Sequence, residues 1–346
     1  MRNYSYVRLK KLPVSLFLHK KTVGLTIALA IASAVAFLLS IALGEMRIHP
    51  LDAVRTLFGG GTEEQNIVIQ SLRLPRIITA FLVGAGLAVA GSILQGIIRN
   101  PLASPDIIGI TSGASVAAVA FISHLSGKVS IVWLPVASMA GAVVTSILIY
   151  LLAWKKGVTA IRLVLVGIGI NFLLASVTKV MLMMDQNFTA AQAYVWLVGT
   201  VYGTDWSIVW MILPWIAVFI PLALICARNV NVLQLGDDVA AATGSAVQRQ
   251  RFSLLMISVA LAGAAVSVGG AISFVGLIAP HMTRRLVGPA FGGVLPVSAF
   301  IGGLMVIIAD TIARTAFLPY DIPVGVFTAG VGAPFFIYLL YRNRHS

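Results

Sequence analysis

Apolar runs of roughly 20 residues recur along this chain from end to end, and they constrain its fold more than any other feature. A run of that length, wound as a helix, crosses a hydrocarbon core of about 30 Å. The chain is 59% apolar and only 10% charged, whereas a water-soluble domain carries about 25% charged residues. The short alternating segments of a membrane β-barrel are missing from the sequence. The expectation is therefore an all-α integral membrane protein. Its 346 residues allow about ten spans and no separate soluble domain. The single cysteine, Cys226, lies in an apolar run, where it reads as a small packing residue and offers no internal disulfide.

Charge sets the orientation. The net charge of +13 suggests nucleic acid at first sight, but the basic residues cluster at the ends of the apolar runs, as in a membrane protein. Residues 1–21 form a basic, cytoplasmic N-terminal segment with Arg2, Arg8, Lys10, Lys11, Lys20 and Lys21. The apolar run behind it, Thr22–Gly44, is longer than a signal-peptide core and has no convincing cleavage site, so it reads as a retained first span. The polytopic domain, 22–346, then alternates direction. Spans are expected at 22–44, 77–98, 107–123, 132–154, 161–184, 206–227, 252–271, 276–286, 295–313 and 324–341. A polar outer loop occupies 44–76, and an outer segment at 185–205 carries Tyr194, Trp196 and Tyr202, suited to an interfacial helix. The longest inner break is 228–251. On this path about 17 Lys/Arg fall inside and about 7 outside, and both termini are cytoplasmic.

The chain also contains a faint copy of itself. Gly84–Gly109 slides onto Gly263–Gly288, matching Gly84 to Gly263, Gly91 to Gly270, Pro101 to Pro280 and Gly109 to Gly288. Glycine and proline dictate backbone path, so matches there suggest shared geometry. The copies begin on the second and seventh spans, which predicts an inverted repeat of spans 2–5 and 7–10, an arrangement typical of transporters.

Chemistry-bearing stretches are few. No GxxxxGK[ST] loop occurs, so the chain is not expected to hydrolyse ATP, and no HExxH, metal-ligand cluster or nucleophile–base pair is present in the sequence. His281, after Pro280, reads as a locally bonded helix-end histidine. In the inner break, Asp237 and Asp238 start a short small-residue helix that Gly244 closes, with Gly236 parting it from a preceding one. This pair of helices is either a solvated loop or a docking surface for a soluble partner. On the outer side, Arg73 and Arg76 in RLPR and Arg314 either snorkel at the interface or hold carboxylates of a docking partner. Asp310, four residues before Arg314, shares its helix face and would be neutralised by it.

The ordered stretches RLPRIITAFLVGAGLAVAGSILQGIIRNPLASPDIIGITSGAS, LGDDVAAATG, SFVGLIAPHMTRRLVG, VLPVSAFIGG, ADTIAR and DIPVGVFTAGVGAPFFIYLL resemble the FecCD family. Its members are permease subunits of ABC importers for iron–siderophores, haem and cobalamin, and the likeness runs from about Arg47 to Tyr341. The resemblance implies ten spans and a pair of permease subunits, here expected to be a heterodimer, around a central pathway in the cell membrane. Two ATPase subunits would dock inside and a substrate-binding protein outside, with membrane lipid as the surround and no cofactor or nucleic acid. It places the ATPase-coupling helices on Asn231–Ala246, with Leu235, Gly236, Asp237, Asp238, Ala240 and Gly244 as the contact set. It assigns Arg73, Arg76 and Arg314 to the binding protein. The family's inner gate falls on Gly157-Val158-Thr159-Ala160. Some relatives cluster hydroxyl residues there, whereas this chain has Thr159 followed by Ala160 and Ile161. Asn171 on the fifth span either faces the pathway or bonds a neighbouring helix.

These readings imply alternating access powered by partner ATPases, with ferric siderophore as cargo, then cobalamin or haem. The rival from another class is an ion-coupled secondary transporter, for which Asp310 is the strong acidic candidate. An intramembrane enzyme lacks a catalytic constellation in the sequence.

Overall fold

The computed structural model describes residues 4–8, 15–125, 128–184 and 189–342. A two-stranded antiparallel pair, β1 (Tyr4–Arg8) and β2 (Ser15–His19), precedes the first helix, so the basic N-terminal segment is not wholly irregular. The regular elements that follow among the described residues are helices joined by turns and loops. The helices are α1 (Lys20–Ala42), α2 (Pro50–Leu57), α3 (Glu63–Asn66), α4 (Leu74–Ile98), α5 (Ile110–Leu125), α6 (Leu134–Leu152), α7 (Ala160–Met183) and α8 (Ala190–Val198). They continue with α9 (Trp206–Ile225), α10 (Ala227–Gln234), α11 (Asp237–Ala242), α12 (Val247–Gly269), α13 (Val275–Val287), α14 (Phe291–Thr315) and α15 (Val324–Arg342).

Ten of these match the ten expected spans: α1, α4, α5, α6, α7, α9, α12, α13, α14 and α15. Seven are long and apolar enough to cross a bilayer unaided, while α5 and α15 are shorter apolar helices. The eighth expected span, α13, has 13 residues, or about 20 Å, and ends in Arg284 and Arg285. It reaches partway through a core of about 30 Å.

The expected polar loop at 44–76 is largely helical. Thr62 and Gln65 form a capping box, each side chain bonding the other's backbone N–H at 3.3 and 3.2 Å. From there α3, a π-helical stretch (Ile67–Arg73) and α4 run on as one helical rod from Glu63 to Ile98. Arg73 and Arg76 therefore sit within the rod and not ahead of it. The extra residue per turn in a π-helix rotates successive side chains, which lets both arginines reach inward contacts.

The core is built on α4, whose most apolar window is 89% buried, with α12 and α14 against it. Close approach is made by small residues. A Cβ on Gly84 would run into the backbone of Gly302 and lie 2.9 Å from Gly303 Cα, and Ala88 follows one turn later on the same face. Gly91 meets Gly276 of α13, and Gly113 of α5 meets Gly141 of α6 in the same way. By contrast the corresponding window of α7 is only 11% buried.

The repeat is visible in the packing. Pairing α4, α5, α6 and α7 with α12, α13, α14 and α15 reproduces the neighbours: α4 lies on α14 as α12 lies on α6. Likewise α5 lies on α12 as α13 lies on α4, α5 on α6 as α13 on α14, and α6 on α7 as α14 on α15. At the matched residues, Gly84 and Gly263 both lie inside helices, and Gly109 and Gly288 both end helical segments at φ +74° and +82°. The other two pairs differ. Gly91 is inside α4 while Gly270 caps α12, and Pro101 is in a turn while Pro280 is inside α13. The halves share architecture, but the second breaks its first helix earlier.

Candidate functional site

Two polar clusters lie at opposite ends of the bundle. The first joins the start of α4, the end of α14 and the end of α1 around a cavity of about 640 Å³. Arg76 grips Asp310 through Nε and Nη2 at 2.9 and 2.8 Å and Asp321 through Nη1 and Nη2 at 2.5 and 2.8 Å. Tyr202 places its ring 5.6 Å from the same guanidinium. Asp310 is 1% exposed, and Arg314 one turn on approaches it at 3.7 Å. The expected Asp310–Arg314 neighbour pair is thus present, but Arg76 is the closer partner.

Arg73 and Arg314 turn toward α1. Arg73 donates to the carbonyls of Ile41 and Met46. Arg314 donates to the carbonyls of Ser40 and Leu43, the latter at 3.0 Å, and to Ser40 Oγ at 2.7 Å. Of these carbonyls, Ser40 and Ile41 lie in the last turn of α1, which has no intrahelical donors left for them, and Leu43 and Met46 lie in the chain just beyond it. All three arginines named from sequence therefore meet in one cluster, and each is engaged within the chain. Asp321, which completes it, was not singled out from sequence, because 245 residues separate it from Arg76. Nearby, Asp205 caps α9 by accepting from Ile208 N–H at 3.1 Å. The Ser207 hydroxyl bonded to it at 2.5 Å holds its carboxyl below the usual carboxylate range, with slight burial opposing and backbone N–H groups assisting.

With Asp310 clasped by two arginines, the acid that an ion-coupled transporter would use is already neutralised inside the protein. His281 lies inside α13 and not at a helix end. Its ring meets Phe335 edge-on at 6.0 Å, and its Nε2 has no hydrogen-bond partner among the described residues.

The second cluster is at the inner break. Its two brief helices, α10 and α11, are parted by Gly236 at φ +108°, a backbone shape that glycine adopts without strain, and Gly244 at φ +79° follows α11. Leu235, Asp238 and Gly244 are exposed, together with Val239, while Ala240 is fully buried beneath them. Asp237 faces inward. Its carboxylate accepts from Arg251 Nη2 at 2.8 and 2.9 Å and from Arg99 Nη2 at 3.1 Å. The named contact set thus divides into a surface layer and a layer that fastens it to α4 and α12.

Thr159 caps α7, accepting from Arg162 N–H at 3.5 Å and from Arg162 Nε at 3.2 Å. It shares a cavity of about 300 Å³ with Ala160, Ile161, Arg99 and the Leu235–Val239 stretch. The expected gate turn and the expected coupling segment are therefore neighbours. Asn171 resolves toward bonding its neighbours: its Nδ2 donates to the Asp106 carbonyl at 2.5 Å, and Ser112 Oγ donates to its Oδ1 at 2.5 Å. It pins α7 to the helix break at Pro105–Ile108, against whose Ile107 carbonyl Gly167 also packs.

The FecCD transport family matches residues 31–342. Among relatives, the probable siderophore transport system permease protein YfhA of Bacillus subtilis (strain 168) is 47% identical over 328 residues, covering 93% of this chain and 94% of that protein. The achromobactin transport system permease protein CbrC of Dickeya dadantii (strain 3937) is 46% identical, covering 93% and 92%. The iron(3+)-hydroxamate import system permease protein FhuG of Bacillus subtilis is 45% identical, covering 89% and 94%. A metal-chelate type ABC transporter solved in an inward-facing conformation superposes with a TM-score of 0.80 at 28% identity, covering 92% of this chain and 99% of that one. With the fold, the repeat and the match over most of its length in agreement, this chain belongs to the FecCD transport family.

Proposed function

We propose that this chain is the membrane permease subunit of an ATP-driven importer whose cargo is a ferric siderophore. The observation that carries the reading is the run of relatives named for siderophore, achromobactin and iron(3+)-hydroxamate transport, each at least 45% identical over about nine tenths of both chains. ATP hydrolysis is assigned to two partner subunits, since the sequence has no phosphate-cradling loop of its own. The exposed face of α10 and α11, with Leu235, Asp238, Val239 and Gly244, is the surface offered to them from the cytoplasm.

On the outer side a substrate-binding protein docks over the Arg73–Arg76–Arg314 cluster. Arg76 already holds Asp310 and Asp321 with Nε and both Nη atoms, so a partner carboxylate reaches it by displacing Asp321, the more exposed of the two. The sparsely packed α7 lines the pathway against a second permease subunit, with Thr159 at its inner end. ATP binding moves the coupling segment, and the permease pair tilts between outward and inward openings.

The test is uptake of radio-iron ferric siderophores by cells with and without the gene, with the proton gradient collapsed and ATP maintained. Gene-dependent uptake that survives the collapse and stops on ATP depletion is the expected result. Uptake that dies with the gradient would overturn the ATP-driven reading, and uptake of cobalamin or haem alone would overturn the cargo.

A further inference from the structure

The turn in front of α7 is held by α12 as well as by its own neighbours, among them Arg162, which donates to the Ala153 and Lys155 carbonyls. Val158, fully buried, has both backbone groups taken by α12 side chains. Gln248 Oε1 accepts from Val158 N–H at 2.9 Å, while Gln248 Nε2 donates back to the Val158 carbonyl at 3.3 Å. The same carbonyl receives Arg251 Nη1. Lys156 and Gly157 take the left-handed region at φ +54° and +111°, and a Cβ at Gly157 would lie 2.8 Å from Gln248 Nε2. The turn thus fits against Gln248 with no room to spare.

Arg251 in turn answers to α11. It is 1% exposed, and its Nη2 is spent on the Asp237 carboxylate at 2.8 and 2.9 Å. One guanidinium therefore spans two elements, with α11 on one nitrogen and the turn before α7 on the other. Charge-assisted bonds from one nitrogen of a buried guanidinium to both oxygens of the carboxylate fix direction as well as distance. At the far end of the link, Thr159 caps α7, which has little packing of its own to hold it.

From this geometry we infer that Asp237, Arg251, Gln248 and Val158 form a relay through which the α10–α11 segment positions the head of α7. Arg251 and Gln248 are positioning residues in this relay. Neither is among the exposed residues offered to a partner, and a displacement of α11 pulls on the Val158 peptide through them. The relay rests on the transport reading above, in which α11 receives the motion and α7 lines the pathway.

The experiment is hydrogen–deuterium exchange on the assembled transporter, comparing the wild type with Q248L and with the charge-neutral double variant D237N/R251Q. The relay requires amides of residues 156–163 to exchange about fivefold faster or more in both variants, with the α4–α14 contact unchanged. Unchanged exchange at 156–163 in either variant would overturn it. The second readout is ATP hydrolysed per chelate taken up, expected to rise about fivefold or more in the same variants as motion at α11 ceases to reach α7. An unaltered ratio would also overturn the relay. Absence of ATP-driven uptake in the wild type would instead sink the transport reading, and the exchange result would still decide whether the relay exists.

Discussion

Arginine side chains finish a helix in this molecule. The last carbonyls of α1 have no intrahelical partners. Arg73 supplies a donor to Ile41 and Arg314 to Ser40. Replacing Arg314 by leucine also removes one of the two cations beside buried Asp310, so we expect R314L to cost about 3–5 kcal/mol, read as a lowered unfolding midpoint in detergent. The control is Arg55, which is 73% exposed and paired with Asp52 at 3.6 Å. R55A should change stability by less than about 0.5 kcal/mol. Equal effects from the two would remove the case for the buried cluster as a fastening.

At the level of elements, the contact between α4 and α14 depends on having no side chain at Gly84 and Gly302. G84V should push the helices apart and cost about 1–3 kcal/mol, while G24A on α1, where a Cβ meets nothing within 4 Å, should be neutral or slightly stabilising. Thermal denaturation of the purified subunit separates the two. Asp205 gives α9 its start, and D205A should cost about 1 kcal/mol. Because the folded carboxyl sits below its unfolded value, this contribution is complete above the ordinary carboxylate range and disappears as pH falls through the folded value. A wild-type and D205A difference that persisted in strong acid would exclude that origin. Seven of the expected spans were legible from apolar length alone, whereas α5, α13 and α15 fall short of it. The helical rod beginning at Glu63 was not, although Thr62 and Gln65 spell a capping box, because Glu63 and Glu64 made the stretch read as a polar loop. The candidate site was legible as isolated residues. The sequence could not tell that Asp310 turns to Arg76 more than to Arg314, or that Asp237 turns inward to Arg251, since those choices are made by helices that meet only in the folded chain.

For the molecule as a whole, burial is uneven: α4 is enclosed, whereas α7 shows most of its surface. A second permease subunit against α7 predicts that F172C, introduced at an exposed position in a C226S background and carrying a thiol-attached photo-cross-linker, captures that subunit in the assembled transporter. I31C, exposed on α1, which packs against α14 on another side of the bundle, should not. Cross-linking at position 31 but not 172 would move the subunit interface away from α7. Backbones that touch at Gly84 and Gly302 have no side chains between them to re-pack, so α4 and α14 travel as one piece. The glycine seam thus gives the machine a stator. A spin label on α14 reports the fixed frame, and the stroke is whatever distance a label on α7 moves against it.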